Sequence, residues 1–168
     1  LMVARVSRNL LTQSWIGGIL THGNPAGTGS NTLVGLDARL ATSKFRGDKS
    51  LILDMYVLGT KDESLDATDT AYGFKLDYPN QLWDVSLTAD RIGEDFHPAL
   101  GFVKRTGVIR LRPTAQFRPR ARQIGIRQFN FQFFPELWFD LDGRLLDYRI
   151  FTAPINLESE SQERGELN

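Results

Sequence analysis

The sequence predicts an all-β chain: an antiparallel up-and-down meander of about nine long strands, forming a curved, partial and open transmembrane β-barrel. Three observations predict it. Segment after segment alternates strictly between apolar and polar side chains, the period of a strand with two unlike faces. These segments run ~10–12 residues. At ~3.3 Å each and tilted by ~40–45°, that crosses an apolar band of about 25 Å, whereas soluble strands average ~5–6 residues. The connections alternate in length, as the short periplasmic turns and longer outer loops of such barrels do.

Taken in order, residues 2–9 set Met2, Ala4 and Val6 against Val3, Arg5 and Ser7. A short connection, 10–13, leads to a second strand over 14–21. Its facing is ambiguous: Trp15/Gly17/Ile19 and Ile16/Gly18/Leu20 could each point outward. Gly17-Gly18 suggests a bulge or a close approach. Residues 22–30 are a long glycine-rich loop without the Lys-Ser/Thr of a phosphate loop. Residues 31–42 put Val34, Leu36, Ala38 and Leu40 on one face, and Asp37 and Arg39 on the other. A turn at 43–50 precedes a strand over 51–59, with Leu53, Met55 and Val57 outward. Residues 61–69 read as a long acidic loop.

The clearest hairpin spans residues 70–91. Tyr72, Phe74, Leu76 and Tyr78 alternate with Lys75 and Asp77; Trp83, Val85 and Leu87 alternate with Asp84 and Asp90. Pro79-Asn80 turns the chain between them. A long irregular stretch, 92–107, follows. Residues 108–118 alternate Ile109, Leu111, Ala115 and Phe117 against Arg110, Arg112, Thr114, Gln116 and Arg118. After a short basic turn at 119–123, residues 124–140 set Phe129, Phe131 and Phe133 against Gln128, Asn130 and Gln132. Asp142-Gly143 marks a tight hairpin. The return strand, 144–157, is expected to turn Phe151, Ala153, Ile155 and Leu157 outward. Residues 158–168 read as a polar tail.

The pattern assigns faces. Tyr72, Phe74, Leu76, Trp83, Val85, Leu87, Phe129, Phe131 and Phe133 are expected to face lipid; Lys75, Asp77, Asp84, Asp90, Arg110 and Arg112 are expected to line a wet lumen. Aromatics near the strand ends, such as Tyr72, Tyr78, Trp83 and Phe117, suit interfacial girdles. A soluble sheet or sandwich also alternates. Strand length, girdle aromatics and loop parity favour the barrel.

Composition narrows the function classes. Twenty basic and twenty acidic residues cancel, so nothing draws the chain to nucleic acid, and Arg110, Arg112, Arg118, Arg120, Arg122 and Arg127 read as a lumen stripe facing acidic strands. Mean hydropathy is −0.27, and no run approaches the ~18 apolar residues of a membrane helix. Without cysteine, thiolate metal sites and cysteine nucleophiles are excluded. The opening Leu1-Met2-Val3 is already strand-like and shows no secretory signal. The chain, one domain over 1–168, therefore reads as a middle fragment of a larger barrel whose remainder lies elsewhere.

Catalytic patterns are weak. His22 and His97 stand in loops without a nucleophile elbow. Glu94, Asp95 and His97 offer oxygen and imidazole donors for a divalent cation, but turn capping explains them better. Asp84 and Asp90 lie six residues apart on one strand, ~20 Å, too far for a glycosidase pair. No catalytic residue, metal ligand or cofactor site is assigned.

The segment Asp95-Phe96-His97-Pro98-Ala99-Leu100-Gly101-Phe102-Val103-Lys104-Arg105 resembles the D-F-[NH]-P-x-x-G-F-[VL]-x-R signature of a bacterial family catalogued as domain of unknown function 5916. Val3 through Leu11 with Ser14-Trp15-Ile16-Gly17, and Asn31 through Ala38, are similar to two further segments of it. The signature positions are Asp95, Phe96, His97, Pro98, Gly101, Phe102 and Arg105; at His97 the usual residue is Asn. The resemblance implies an outer-membrane barrel region behind a carbohydrate-binding-like β-sandwich. It assigns no catalytic residue.

The expected function is thus a bacterial outer-membrane barrel segment, non-enzymatic in this piece. It would act as a membrane anchor or pore linked to carbohydrate binding or uptake, with the lipid bilayer and glycans as partners. The alternatives are a soluble β-sheet carbohydrate-binding module and an accessory part of a glycan-hydrolysing enzyme.

Overall fold

A computed structural model describes residues 1–25, 29–121, 123, 125–159, 161 and 163–167. Ten strands follow one another in a single antiparallel sheet, each hydrogen-bonded to its neighbours in sequence. They are β1 (Met2–Leu11), β2 (Ser14–His22), β3 (Asn31–Phe45), β4 (Lys49–Asp62), β5 (Ala67–Pro79), β6 (Trp83–Ile92), β7 (Val108–Phe117), β8 (Ile126–Phe139), β9 (Leu145–Ser159) and β10 (Arg164–Leu167). β1 and β10 do not pair, so the sheet is open. Among the described residues no helix is long and apolar enough to cross a membrane.

β3 and β4 are longer than expected, at 15 and 14 residues, whereas β8, at 14, is shorter than the expected 124–140. Because β4 runs on to Asp62 and β5 starts at Ala67, the expected loop over 61–69 shrinks to a four-residue turn. The expected polar tail carries a short tenth strand instead, paired through Gly165↔Leu157 and Leu167↔Ile155. Loop parity holds only in part. The long 93–107 connection sits at the opposite end from the tight 12–13, 46–48 and 80–82 turns, but the expected short turn at 119–123 lies within a longer connection, 118–125. Ala26, Gly27 and Thr28 of the glycine-rich loop, and Arg122 of the basic stripe, lie outside the described residues.

Side chains directly opposite across a ladder share a face. Register therefore extends the alternation sideways: Leu36↔Val57↔Tyr72↔Arg91↔Ile109↔Phe139 is one row, and Leu40↔Leu53↔Leu76↔Leu87↔Pro113 another. This is the aromatic face. It resolves β2, whose Ile16, Gly18 and Leu20 oppose Ala38, Leu36 and Val34 there. At one edge of the band Trp83 stacks on Phe117 at 4.4 Å, Phe117 on Phe131 at 6.1 Å and Phe131 on Phe129 at 5.9 Å. At the other edge Tyr72 takes the Arg91 guanidinium at 5.7 Å. From β3 to β8, Arg91 is the one charged side chain on this face between those two edges. No second layer of the chain covers it: Tyr72 is 47% exposed and Phe131 37%.

The opposite face is polar. One of its rows explains two glycines, Gly73 and Gly17. In Asp37↔Tyr56↔Gly73↔Asp90↔Arg110↔Trp138, the Tyr56 hydroxyl reaches across Gly73 to donate to Asp90 Oδ1 at 3.0 Å. A Cβ on Gly73 would meet that oxygen at 2.5 Å and the Ala89 carbonyl at 2.6 Å. Gly17 lies beneath the Arg5–Asp37 bridge in the same way, with Asp37 Oδ1 2.8 Å from where a Cβ would stand. Of the two readings of Gly17-Gly18, Gly17 is the close approach.

One expected facing is reversed. A bulge of β9 opposite the Asn130/Gln132 step shifts its parity at Pro154. Ile155 and Leu157 stay on the aromatic face, while Phe151 and Ala153 turn to the polar one, where Phe151 stacks on Phe134. Alternation alone cannot register one extra residue.

Gly73→Ala is expected to cost about 1–3 kcal/mol, as overpacking does, because Ala89 backbone cannot retreat. Urea titration of the refolded chain checks it; Gly59→Ala, where nothing lies within 4 Å, is the mild control.

Candidate functional site

The polar face is a field of ion pairs, most of them between strands. Arg110 donates to Asp90 Oδ2 through Nε at 3.0 Å and Nη2 at 2.6 Å, and its guanidinium lies 5.3 Å from the Trp138 ring centroid. Lys75 bonds Asp77 at 2.6 Å, Arg118 bonds Asp84 at 3.1 Å, and Arg127 meets Glu158 at 3.3 Å. The six polar residues picked out by alternation do share this face, and five of them form three separate pairs with residues on it. Arg112 makes no ion pair among the described residues; it lines a trough on the polar face.

The 93–107 connection folds back over the same face. Phe96 is only 3% exposed and packs with Leu33 and Ala71; Ile19, Leu58, Ile92 and Val103 surround them. That row is apolar because it is roofed. The loop's base is closed by Gly93 N–H donating to Thr70 O and Gly107 N–H donating to Gly93 O.

The loop is latched by side chains from strand ends. Asn31 opens β3 and Asp62 closes β4, and the two are register partners. Asn31 Nδ2 donates to His97 O at 2.7 Å and to Asp62 Oδ2 at 2.9 Å, and its Oδ1 accepts from Ala99 N–H at 3.0 Å. One buried amide therefore reads the loop backbone as another strand would. Asp62, 1% exposed, divides its oxygens. Oδ1 accepts from Ser64 N–H, Ser64 Oγ and Leu65 N–H, tightening the β4–β5 turn. Oδ2 faces Asn31 and, at 2.8 Å, His97 Nδ1. Opposite a carboxylate, that ring nitrogen carries the proton. Thr60 Oγ1 accepts from His97 N–H at 3.3 Å, and Asp69 Oδ2 from Asp95 N–H at 3.0 Å.

Hydrogen bonds from Ser64, then His97 and Asn31, hold the Asp62 carboxyl well below the usual carboxylate range. Asp62 lies beyond the aromatic band, at the end of β4.

The signature residues thus have distinct fates. Phe96 is the buried anchor and His97 the latch. Pro98 and Gly101 form a turn through Gly101 N–H to Pro98 O. Arg105 lies 6.0 Å from the Trp138 ring centroid. Phe102 is exposed. The expected capping by Asp95 falls instead to Asp62 and Asp69, which sequence reading passed over as members of an acidic loop. Among the described residues no three His, Asp or Glu side chains converge on a metal position. Ser64, Asp62 and His97 touch, but with the carboxylate in the middle. A relay needs the imidazole between hydroxyl and carboxylate, so this group is a latch. His22 bonds Thr32 Oγ1 at 2.9 Å, away from any carboxylate pair.

Comparison with protein-family models, with curated proteins and with solved structures returns no match.

Asn31→Ala is expected to weaken loop docking by about 1–3 kcal/mol, since it strands buried partners. Trypsin cleavage at Lys104 and Arg105 should accelerate while the sheet's circular dichroism stays unchanged. The acid limb has a definite sign. Asp62 titrates lower folded than unfolded, so its contribution is complete above the ordinary Asp value of about 4 and is lost as pH falls below it. Hydrogen exchange of loop amides, followed from neutral pH into acid, should show release there. Asp62→Asn should already be loose at neutral pH.

Proposed function

We propose that this chain is a wall segment of a bacterial outer-membrane β-barrel, acting as a membrane anchor or pore linked to carbohydrate binding or uptake. The observation that carries the reading is the bare aromatic face. Monomeric soluble proteins rarely expose contiguous apolar patches above a few hundred Å². Here seven strands, β2 to β8, present one, with Arg91 at one edge of it. Water is a poor solvent for that surface and hydrocarbon a good one.

The other face supports the same reading. Its charges are paired as in a narrow wet interior, and the 93–107 loop lies over it as an inward-folded loop would constrict a lumen. The strands, at 13 to 15 residues in β3 to β5, have length to spare for a tilted crossing. The aromatic stack from Trp83 to Phe129 suits one interface and Tyr72 with Arg91 the other. The carbohydrate link rests on the resemblance of the Asp95–Arg105 segment to the uncharacterised family named above. In this reading the open edges pair with the rest of the barrel.

The test is insertion. Folding into lipid vesicles should make the chain resistant to extraction by alkaline carbonate. Leu87→Arg, in the middle of the band, is expected to cost about 2–4 kcal/mol of membrane stability, and Phe131→Asp should block assembly. Gln132→Asp, on the polar face, should assemble normally. A chain that is monomeric and folded in plain buffer, or equal effects of Phe131→Asp and Gln132→Asp, would sink the reading.

A further inference from the structure

The polar face carries one anomaly. Across β6, β7 and β8, three successive rows are Asp84–Gln116–Gln132, Ser86–Thr114–Phe134 and Thr88–Arg112–Glu136. Eight of these nine side chains are polar, and the ninth is an aromatic ring. Phe134 is not alone: Phe151, brought to this face by the β9 bulge, stacks on it with centroids 5.8 Å apart and planes 10° from parallel. Phe151 remains 49% exposed. The pair places two stacked apolar rings on a surface made for water.

The sheet is parted beside it. Register on either side, Leu111↔Leu137 and Ala115↔Phe133, sets Pro113 opposite Pro135, and pairing between β7 and β8 lapses from Arg112 to Thr114. Neither proline has an N–H to give to the ladder. A trough of about 610 Å³ runs across β5 and β6 to this seam, lined by Phe134, Arg112, Ser86, Thr114, Gln116 and Glu136 among others. Through the Gln116↔Gln132 row it approaches a second hollow of about 310 Å³, where Asn130 and Asn156 face each other. The Oδ1 atoms of both are buried without a partner, as is Arg118 Nε.

We propose that this track binds a neutral oligosaccharide. The proposal deepens the carbohydrate link and takes the polar face as the lumen. A pyranose ring has an apolar C–H face and an equator of hydroxyls. The exposed ring surface of the Phe134–Phe151 pair suits the first, and the side-chain amides, the Ser86–Thr114 hydroxyl pair at 2.7 Å and Arg112 suit the second. Charge argues for a neutral ligand. Lys75, Arg112 and Arg118 are matched by Asp77, Asp84 and Glu136 around the trough, so no surplus draws an anion or a cation. Unpaired amide groups along the second hollow give the chain a continuation beyond one ring.

Calorimetric titration of the full chain in an amine-oxide detergent, which carries no sugar, tests it. The probes are maltohexaose, cellohexaose and xylohexaose. At least one is expected to bind, with Phe151→Ala weakening it about tenfold or more and Phe151→Trp retaining it. Tyr148→Ala, three residues away but on the aromatic face, should bind as the parent does. Circular dichroism of each variant confirms folding. No binding of any probe up to about 10 mM, or equal weakening by Phe151→Ala and Tyr148→Ala, overturns the proposal. The two readings fail separately: a chain that inserts but binds no sugar loses only the track, and one that binds sugar through Phe151 yet stays soluble without detergent loses only the membrane.

Discussion

A single sheet has two surfaces and no interior, and every side chain of a strand must commit to one of them. A sandwich resolves this by burying one surface against a second layer. Here one sheet runs from β1 to β10, each strand paired with the next, with nothing stacked on the aromatic side. The hydrogen bonds hold the strands together, but they cannot decide what the faces meet. That decision lies in the alternation, and Leu36, Val57, Tyr72 and Ile109, aligned by register, repeat it strand after strand.

The polar face meets the matching constraint differently. Charges placed at short range over a sheet must be paired or solvated. Arg110 satisfies Asp90 twice and rests on Trp138, while Tyr56 caps the remaining oxygen of Asp90. That arrangement needs Gly73 as bare backbone between them. The roofed part of the face obeys another rule. Where Phe96 descends, the sheet offers Leu33, Leu58 and Ala71, and the polar groups withdraw to the rim as Asn31, Thr60, Asp62 and Asp69. The loop is therefore written into the strands as much as into itself.

Much of this was legible because a period of two is a local property. The facing of Lys75, Asp84, Arg110, Phe74 and Phe131 follows from their immediate neighbours. What escaped were features that depend on distant partners or on a single extra residue. Phe151 and Ala153 change faces through a bulge that only pairing with β8 reveals. The β4 strand outruns its apolar pattern because Asp62 and Thr60 are wanted by a loop some thirty-five residues away. Asn31 looked like the first residue of a strand, and nothing near it announces that it reads the backbone of His97 and Ala99. A tyrosine–glycine–aspartate row was equally invisible, since its members lie on three different strands.

Besides the β9 bulge, two departures from regularity alter the polar face. One is the long 93–107 connection, folded inward at the end where Asn31 and Asp62 wait for it. The other is the Pro113/Pro135 seam, placed mid-strand where a wall under no other demand would keep its pairing. Proline in two adjacent strands at one level gives up hydrogen bonds that either strand alone could have kept. On the aromatic face Pro113 continues the row of Leu76 and Leu87. On the polar face the residues beside the lapse are Arg112, Thr114 and Phe134, which line the trough. A local loss of pairing beside such a trough is the pattern expected where stability yields to a site.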